Sequence, residues 1–397
     1  MTGSELPIFP FDTPSELDAE PEYTELRRHN PVPKVRLAPG GEAFLVSRYD
    51  DVQRVLTDAV FSRAATSDPG VAVLRPVRRN PYLMVSLDAP EHTRVRRLVA
   101  RAFTARSVEL LRPRIEQIID ELIDGMMARP RPVDFVAAFA APLPAMVISE
   151  MVGVPVADVG MLRGWMDIAL SVTAHTPEEI QAAGQQMFGY LETLIAAKRA
   201  EPANDLLTRM IQARDNEDKL SEPELVNNAY LLLTGGYETT TALLANSLLT
   251  LHRHPDQLAM LRARPDLIPN AVEELLRYVR IAKAVLERVA TEDVDLGGVS
   301  VPAGSTVIPL QYSANRDETL VEDPDRLDIT RKPVPHLAFG GGLHFCIGAP
   351  LARLELRTAF ERLLTRLPDL RPAVDTSDVM WKHGLLTRGP VALPVTW

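Results

Sequence analysis

Phe339-Gly340-Gly341-Gly342-Leu343-His344-Phe345-Cys346-Ile347-Gly348 holds the only cysteine of this 397-residue chain. A lone cysteine is most often an inert buried thiol. The neighbours of Cys346 point elsewhere. Four glycines and an aromatic frame let the backbone turn tightly and leave a flat face beside the sulfur. Pro350 then opens an amphipathic run, Leu351-Ala352-Arg353-Leu354-Glu355-Leu356, since proline is tolerated in a first helical turn. Cys346 therefore falls just before a helix N-terminus, where unpaired amides and the dipole stabilise a thiolate. A thiolate beside a glycine-cleared surface suits a planar metal macrocycle.

The decapeptide resembles the haem-binding loop of the cytochrome P450 family, Phe-x-x-Gly-x-His-x-Cys-x-Gly, at every specified position. The resemblance implies a mainly α fold with small β-sheets: a triangular helical domain, a long helix over the haem and a small β-rich region. It also implies haem b with the Cys346 thiolate as axial iron ligand, and Phe339, His344 and Gly348 in the loop that binds it. Such a ligand pushes electron density toward bound oxygen and favours O–O cleavage.

The rest of the chain limits how such chemistry could run. One cysteine cannot hold an iron–sulfur cluster, which takes about four thiolates. No Gly-x-Gly-x-x-Gly after a strand suggests a flavin or nicotinamide domain. Electrons are therefore expected from another protein, and the resemblance implies a ferredoxin with its ferredoxin reductase. A net charge of -10 leaves no basic excess for nucleic acid. The acidic, proline-bearing N-terminus has no basic patch followed by an apolar run, and no apolar stretch approaches the roughly 20 residues of a bilayer span. A cytoplasmic protein with no membrane anchor is expected, folded as one catalytic domain over 1–397. Lysine is scarce beside arginine, alanine and proline, in keeping with a GC-rich bacterial genome.

Periodicity predicts helices over about 107–127 and 177–199, and a long one over about 221–254. Ser221 and Glu224 form its capping-box pattern, and Pro255 ends it. A β-hairpin is predicted from 34–37 and 43–46. Further strands are predicted at 294–296 and 307–310, around Gly297-Gly298, and at 391–395.

The long helix contains Gly235-Gly236-Tyr237-Glu238-Thr239-Thr240. Two adjacent glycines cost about 1 kcal/mol each against alanine, and either a kink or a functional opening would account for them. The stretch resembles the family's distal helix, (Ala/Gly)-Gly-x-(Asp/Glu)-Thr-(Thr/Ser). By that resemblance Gly235 and Gly236 make room over the iron, Thr239 hydrogen-bonds the oxygen being activated, and Glu238 relays protons from solvent. A hydroxyl passes protons as donor and acceptor, and an acid resupplies it.

Four further residues match the family's contacts to the two haem propionates: His92 and Arg96, four apart on one helical face, Arg288 and His344. Glu274-Leu275-Leu276-Arg277 resembles the family's Glu-x-x-Arg, and Pro324-Asp325-Arg326-Leu327 its Pro-x-Arg-Phe with leucine for phenylalanine. Arg326 is expected to join a structural ionic network with Glu274 and Arg277. Arg94, Arg97, Arg101 and Arg353 are expected to form a basic patch behind the thiolate, suited to an acidic ferredoxin, with solvated arginines as the plain alternative.

By the same analogy, segment 66–85, part of 161–190, the helix face around 231–239, segment 281–286 and the turn 381–386 line the substrate cavity. Many soluble members carry prolines where Arg280, Ile281, Ala282 and Lys283 stand. Arg75, Arg78 and Arg79 are candidates to pair with an acidic group on the substrate. The resemblance implies a monooxygenase that inserts one atom of O2 into a small or mid-sized organic substrate, a natural product or biosynthetic intermediate. The same haem could instead drive oxidative ring formation, coupling or nitration. From a different class, a haem-binding sensor is disfavoured by Gly235, Gly236, Glu238 and Thr239, since a sensor needs no proton relay. A monomer is expected.

Overall fold

The helix Glu222–Arg253 is 32 residues, about 48 Å, long and organises the structure around it. Its start is the predicted capping box: Ser221 Oγ accepts from the Glu224 amide at 3.3 Å, and the Ser221 amide donates to Glu224 Oε2 at 2.8 Å. His254 caps the other end, before Pro255. In the computed structural model residues 6–11, 16–74, 80–171, 174–215, 219–282, 286–384 and 387–397 are described. Residues 241–251 of the long helix are all buried, the polar Thr241, Asn246, Ser247 and Thr250 included.

The helix runs unbroken through Gly235-Gly236. The two glycines differ in purpose. A Cβ on Gly236 would lie 2.9 Å from Ile148 Cγ1 on the helix Pro142–Val152, whereas one on Gly235 would meet nothing within 4 Å. One glycine permits close helix packing and the other leaves open space. Gly236→Ala should therefore destabilise the protein by about 1–3 kcal/mol through overpacking against a stiff, buried isoleucine. Gly235→Ala should be neutral or stabilising by up to about 1 kcal/mol in the haem-free protein. Thermal unfolding of the two variants checks the difference in sign.

A six-stranded sheet lies to one side. Its order is Ile8–Phe9, Lys34–Leu37, Glu42–Val46, Thr306–Pro309, Arg288–Ala290, Phe61–Ser62. The predicted hairpin forms one of its antiparallel pairs, with Val35 opposite Ala43. The strands predicted around Gly297-Gly298 separate. Val294–Leu296 turns back on Val299–Val301 through the two glycines, at φ +59° and +80°, while Thr306–Pro309 joins the large sheet beside Glu42–Val46. The strand predicted at 391–395 is shorter and later, Pro394–Thr396, in a three-stranded sheet with Arg371–Pro372 and Val133–Asp134. The helix predicted over 107–127 breaks at Leu110-Leu111 into Ala105–Glu109 and Arg112–Met127.

Helix Ile268–Tyr278 ties the Cys346 region to the body with two adjacent acids. Glu273 accepts from Arg353 at 2.8 Å and from Arg357 at 3.1 Å, both on the helix Ala349–Arg366 that follows the cysteine. Glu274 takes Arg277 in a bidentate pair, both bonds 2.8 Å, with both side chains buried. Arg277 also donates to the carbonyls of Asn315 and Pro324. The third side chain of this network is Arg331, 3.3 Å from Glu274, and not Arg326. The Arg326 side chain is 65% exposed and pairs with Asp328; only its carbonyl reaches the network. The chain turns near Asp323, at φ +47°, and Arg326 points out to solvent while Arg331 points back.

Candidate active site

Two openings stand out. The larger, about 1320 Å³, is a groove lined in part by Arg97, Arg101 and Arg209, and none of the candidate site residues borders it. The smaller, about 370 Å³, lies between the long helix and the cysteine loop, and the chemistry is there. His92, Arg96, Gly235, Gly236, Thr239, Arg288, Phe339, His344, Cys346 and Gly348 all line it. Glu238 does not.

The loop is shaped by its glycines and by hydrogen bonds. Gly342 has φ +61°, and a Cβ there would lie 2.6 Å from the Leu56 carbonyl. Only glycine lets the loop seat on the helix Tyr49–Thr57. The Cys346 amide donates to the Phe339 carbonyl at 2.8 Å, and Arg96 donates to the Phe345 carbonyl at 2.6 Å. Arg353 lies over the Phe339 ring, 4.6 Å from its centre. The helix Ala349–Arg366 starts three residues after the cysteine.

The Cys346 sulfur is surrounded by protein, yet its accessible surface opens onto this cavity. Burial pushes its pKa up. The amides of Gly348 and Ala349 and the cations Arg96 and Arg353 pull it down. The site lacks a strong partner for a free thiol but is arranged to favour a thiolate once a cation binds it.

On the opposite wall, Gly235 and Thr239 are accessible in the middle of an otherwise covered helix. They are four residues apart, one turn, and share the cavity face. The Thr239 hydroxyl donates to the Gly235 carbonyl at 3.0 Å. Glu238, one residue back, faces elsewhere. It is 1% exposed, and its Oε1 accepts from Lys382 Nζ at 2.8 Å and from the Thr387 hydroxyl at 3.1 Å. Burial raises its pKa, and Lys382 opposes the rise.

The remaining wall gathers positive charge. The rings of His92 and His344 lie 4.4 Å apart. Burial, then Arg96, lowers the His92 pKa to about 4; burial, then Arg288, lowers that of His344 to about 2. His92 Nδ1 and His344 Nε2 are buried without a hydrogen-bond partner among the described residues. Asp88, the acid that acts on His92, is engaged by Ser62 and the Arg63 amide. Two partnerless imidazoles among Arg96, Arg288 and Arg63 fit a ligand that brings carboxylates. A flat glycine-cleared face, a lone sulfur and this cationic wall together fit haem with its two propionates.

Sequence reasoning missed several residues here. Arg63, fully buried, adds to the field on His344. Gln311 and Tyr312 line the cavity from a short helix with no motif to mark it. Glu355 lines it from the helix after the cysteine, with burial alone pushing its pKa up to about 8 and Oε2 unpartnered among the described residues. Of the five cavity segments expected, 66–85 contributes Met84 and Val85, 231–239 five residues, and 281–286 Ile281 and Leu286. No described residue of 161–190 or 381–386 lines the cavity. Arg280 turns away from it and is buried against Glu20. Arg75, Arg78, Arg79 and Lys283 lie outside the described residues. The basic patch is partly neutralised, since Glu224 takes Arg94 and Glu273 takes Arg353.

The chain matches the family model of cytochrome P450 over residues 147–268 and 264–390. It is 45% identical to nocardicin C N-oxygenase of Nocardia uniformis subsp. tsuyamanensis, with all of both chains covered. It is 44% identical to mycinamicin IV hydroxylase/epoxidase of Micromonospora griseorubida, again over all of both chains. The crystal structure of HinD with NMFT and NO superposes with a TM-score of 0.95 at 45% identity, covering 99% of this chain and 100% of that one. No helix among the described residues is long and apolar enough to cross a membrane. With the loop, the long helix and the cationic wall meeting around one cavity, and relatives matched along the whole chain, this protein belongs to the cytochrome P450 family and is a haem-thiolate monooxygenase of bacterial type.

Proposed function

We propose that this chain inserts one oxygen atom from O2 into a natural product or biosynthetic intermediate of small or middle size, releasing the other atom as water. One observation carries the reading: the only cysteine and the Thr239 face of the long helix open onto the same cavity. Relatives named for N-oxygenation of nocardicin C and for hydroxylation or epoxidation of mycinamicin IV support the substrate class.

Haem, when bound, supplies reductive activation of O2 and transfer of one oxygen atom. The protein's part is to hold it and manage protons and water. Cys346 is the iron ligand. His92, Arg96, Arg288 and His344 hold the propionates. The apolar wall, Met84, Val85, Leu231, Leu232, Ile281 and Leu286, binds the substrate and excludes water from it. Thr239 hands protons into the cavity, and Glu238 resupplies Thr239. Electrons come from a ferredoxin and its reductase. Arg97 and Arg101, whose side chains pair with no described residue, remain to meet an acidic partner. The protein acts as a cytoplasmic monomer with one catalytic domain over 1–397.

Thr239→Ala tests the oxygen-side assignment, with nocardicin C and mycinamicin IV among the compounds offered. Binding of whichever compound shifts the haem absorption should be unchanged. Product formation should fall at least about tenfold, with reducing equivalents appearing as hydrogen peroxide. Product yield per electron pair equal to the parent's would overturn the role of Thr239.

A further inference from the structure

Glu238 is the one candidate residue outside the cavity, and what holds it there is specific to the end of the chain. The segment that follows Met380 folds back on itself. The Lys382 amide donates to the Gly389 carbonyl at 2.9 Å, and Trp381 bridges to Pro390. This turn lies directly on the long helix: a Cβ on Gly389 would be 3.4 Å from that of Ala242, one helical turn beyond Glu238. The close approach brings Lys382 and Thr387 onto the same carboxylate oxygen. Glu238 Oε2 is buried with no hydrogen-bond partner among the described residues. Asp167, Tyr237 and Arg163 also act in this region, with Asp167 repelling the Glu238 charge. Lys382 is the cation paired with Glu238, and its side chain is 18% exposed against 1% for the acid. It therefore spans from a sealed carboxylate to solvent.

We propose that Lys382 is a positioning residue for proton delivery: it keeps Glu238 ionised against the C-terminal turn, out of the cavity, and connects it to bulk water. The inference rests on the reading of Glu238 as the acid that resupplies Thr239. The protons balance. The Lys382 ammonium gives one to Glu238, and Glu238 gives one to the Thr239 oxygen as that hydroxyl releases its own into the cavity. Water then restores Lys382. Transfer from Lys382 leaves Glu238 neutral, the form its burial favours, and frees it to turn toward the cavity without breaking a buried ion pair.

The test needs no knowledge of the natural substrate. Haem-loaded parent, Lys382→Met, Lys382→Arg, Glu238→Gln and the Lys382→Met/Glu238→Gln double variant are supplied with electrons from a surrogate ferredoxin and reductase. Dioxygen consumption is followed in H2O and in D2O. Reduction under carbon monoxide checks that haem content and electron delivery match the parent. Glu238→Gln and Lys382→Met should each slow dioxygen consumption at least about tenfold and enlarge the solvent isotope effect. The double variant should be no slower than Glu238→Gln, and Lys382→Arg, whose guanidinium keeps the ion pair but does not give up its proton, should stay slow. A slow Glu238→Gln beside a Lys382→Met at the parent rate would overturn the role of Lys382 alone. So would losses that multiply in the double variant, since Lys382 would then act independently. Glu238→Gln at the parent rate would instead remove the underlying reading of Glu238. Should Lys382→Met fail to fold, Lys382→Gln, which keeps a hydrogen-bond donor but no transferable proton, is expected to be slow and overturns the proposal if it is not.

Discussion

Cys346→Ser abolishes thiolate-type haem ligation and reduces oxygenation to the background of the assay. The chain has no second cysteine to substitute. A serine hydroxyl holds its proton far more tightly than a thiol, and the forces that favour an anion here are modest. The amides of Gly348 and Ala349 and the charges of Arg96 and Arg353 must already work against burial to favour the thiolate. They cannot ionise an alcohol. The loop itself should survive the change, because its shape depends on Gly342 against Leu56 and on the Cys346 amide bond to Phe339, not on the sulfur. The variant should therefore still fold and take up haem through the cationic wall, while the spectrum and the oxygen chemistry are lost. Oxygenation at parental levels by a folded Cys346→Ser protein would contradict the assignment.

The second large effect is structural. Glu274→Ala leaves Arg277, 1% exposed, without its carboxylate partner. Breaking a buried pair in this way costs about 3–5 kcal/mol, because the remaining charge stays in a low-dielectric site. Arg277→Ala should cost a similar amount, since the Asn315 and Pro324 carbonyls lose their donor as well. Replacing both residues by leucine should be milder than either single change. Arg326→Ala should stay within about 0.5 kcal/mol, as its side chain is solvent-facing. Thermal unfolding and the ratio of haem to protein check this order. Equal losses for Arg326→Ala and Glu274→Ala would mean that the network runs through Arg326 and not Arg331.

Motifs carried most of the site, and periodicity marked three long stretches of helix among many more. The cysteine loop and the long helix were legible because both follow short-range rules: glycines where the chain turns, a capping box at Ser221, a proline after His254. The meeting of His92 and His344 in one cationic wall was legible only through resemblance, since nothing local says that they will approach across some 250 positions. Arg326 misled because a motif position fixes the backbone and not the direction of a side chain. The next arginine along, Arg331, was free to turn inward. Lys382 gave no signal at all. Its place beside Glu238 is decided by Gly389 packing on Ala242, a contact between distant parts of the chain. The strands around Gly297-Gly298 show the same limit: Val294–Leu296 was expected but its hairpin partner Val299–Val301 was not, and the assignment of Thr306–Pro309 to the large sheet depends on Glu42–Val46 far upstream.

The most direct test is the absorption spectrum of the purified, haem-loaded protein, reduced and exposed to carbon monoxide. Ligation by the Cys346 thiolate predicts the strongly red-shifted carbonyl band that sets haem-thiolate proteins apart. A band at the position shown by histidine-ligated haems in the freshly prepared native protein, or no haem bound at all, would contradict it.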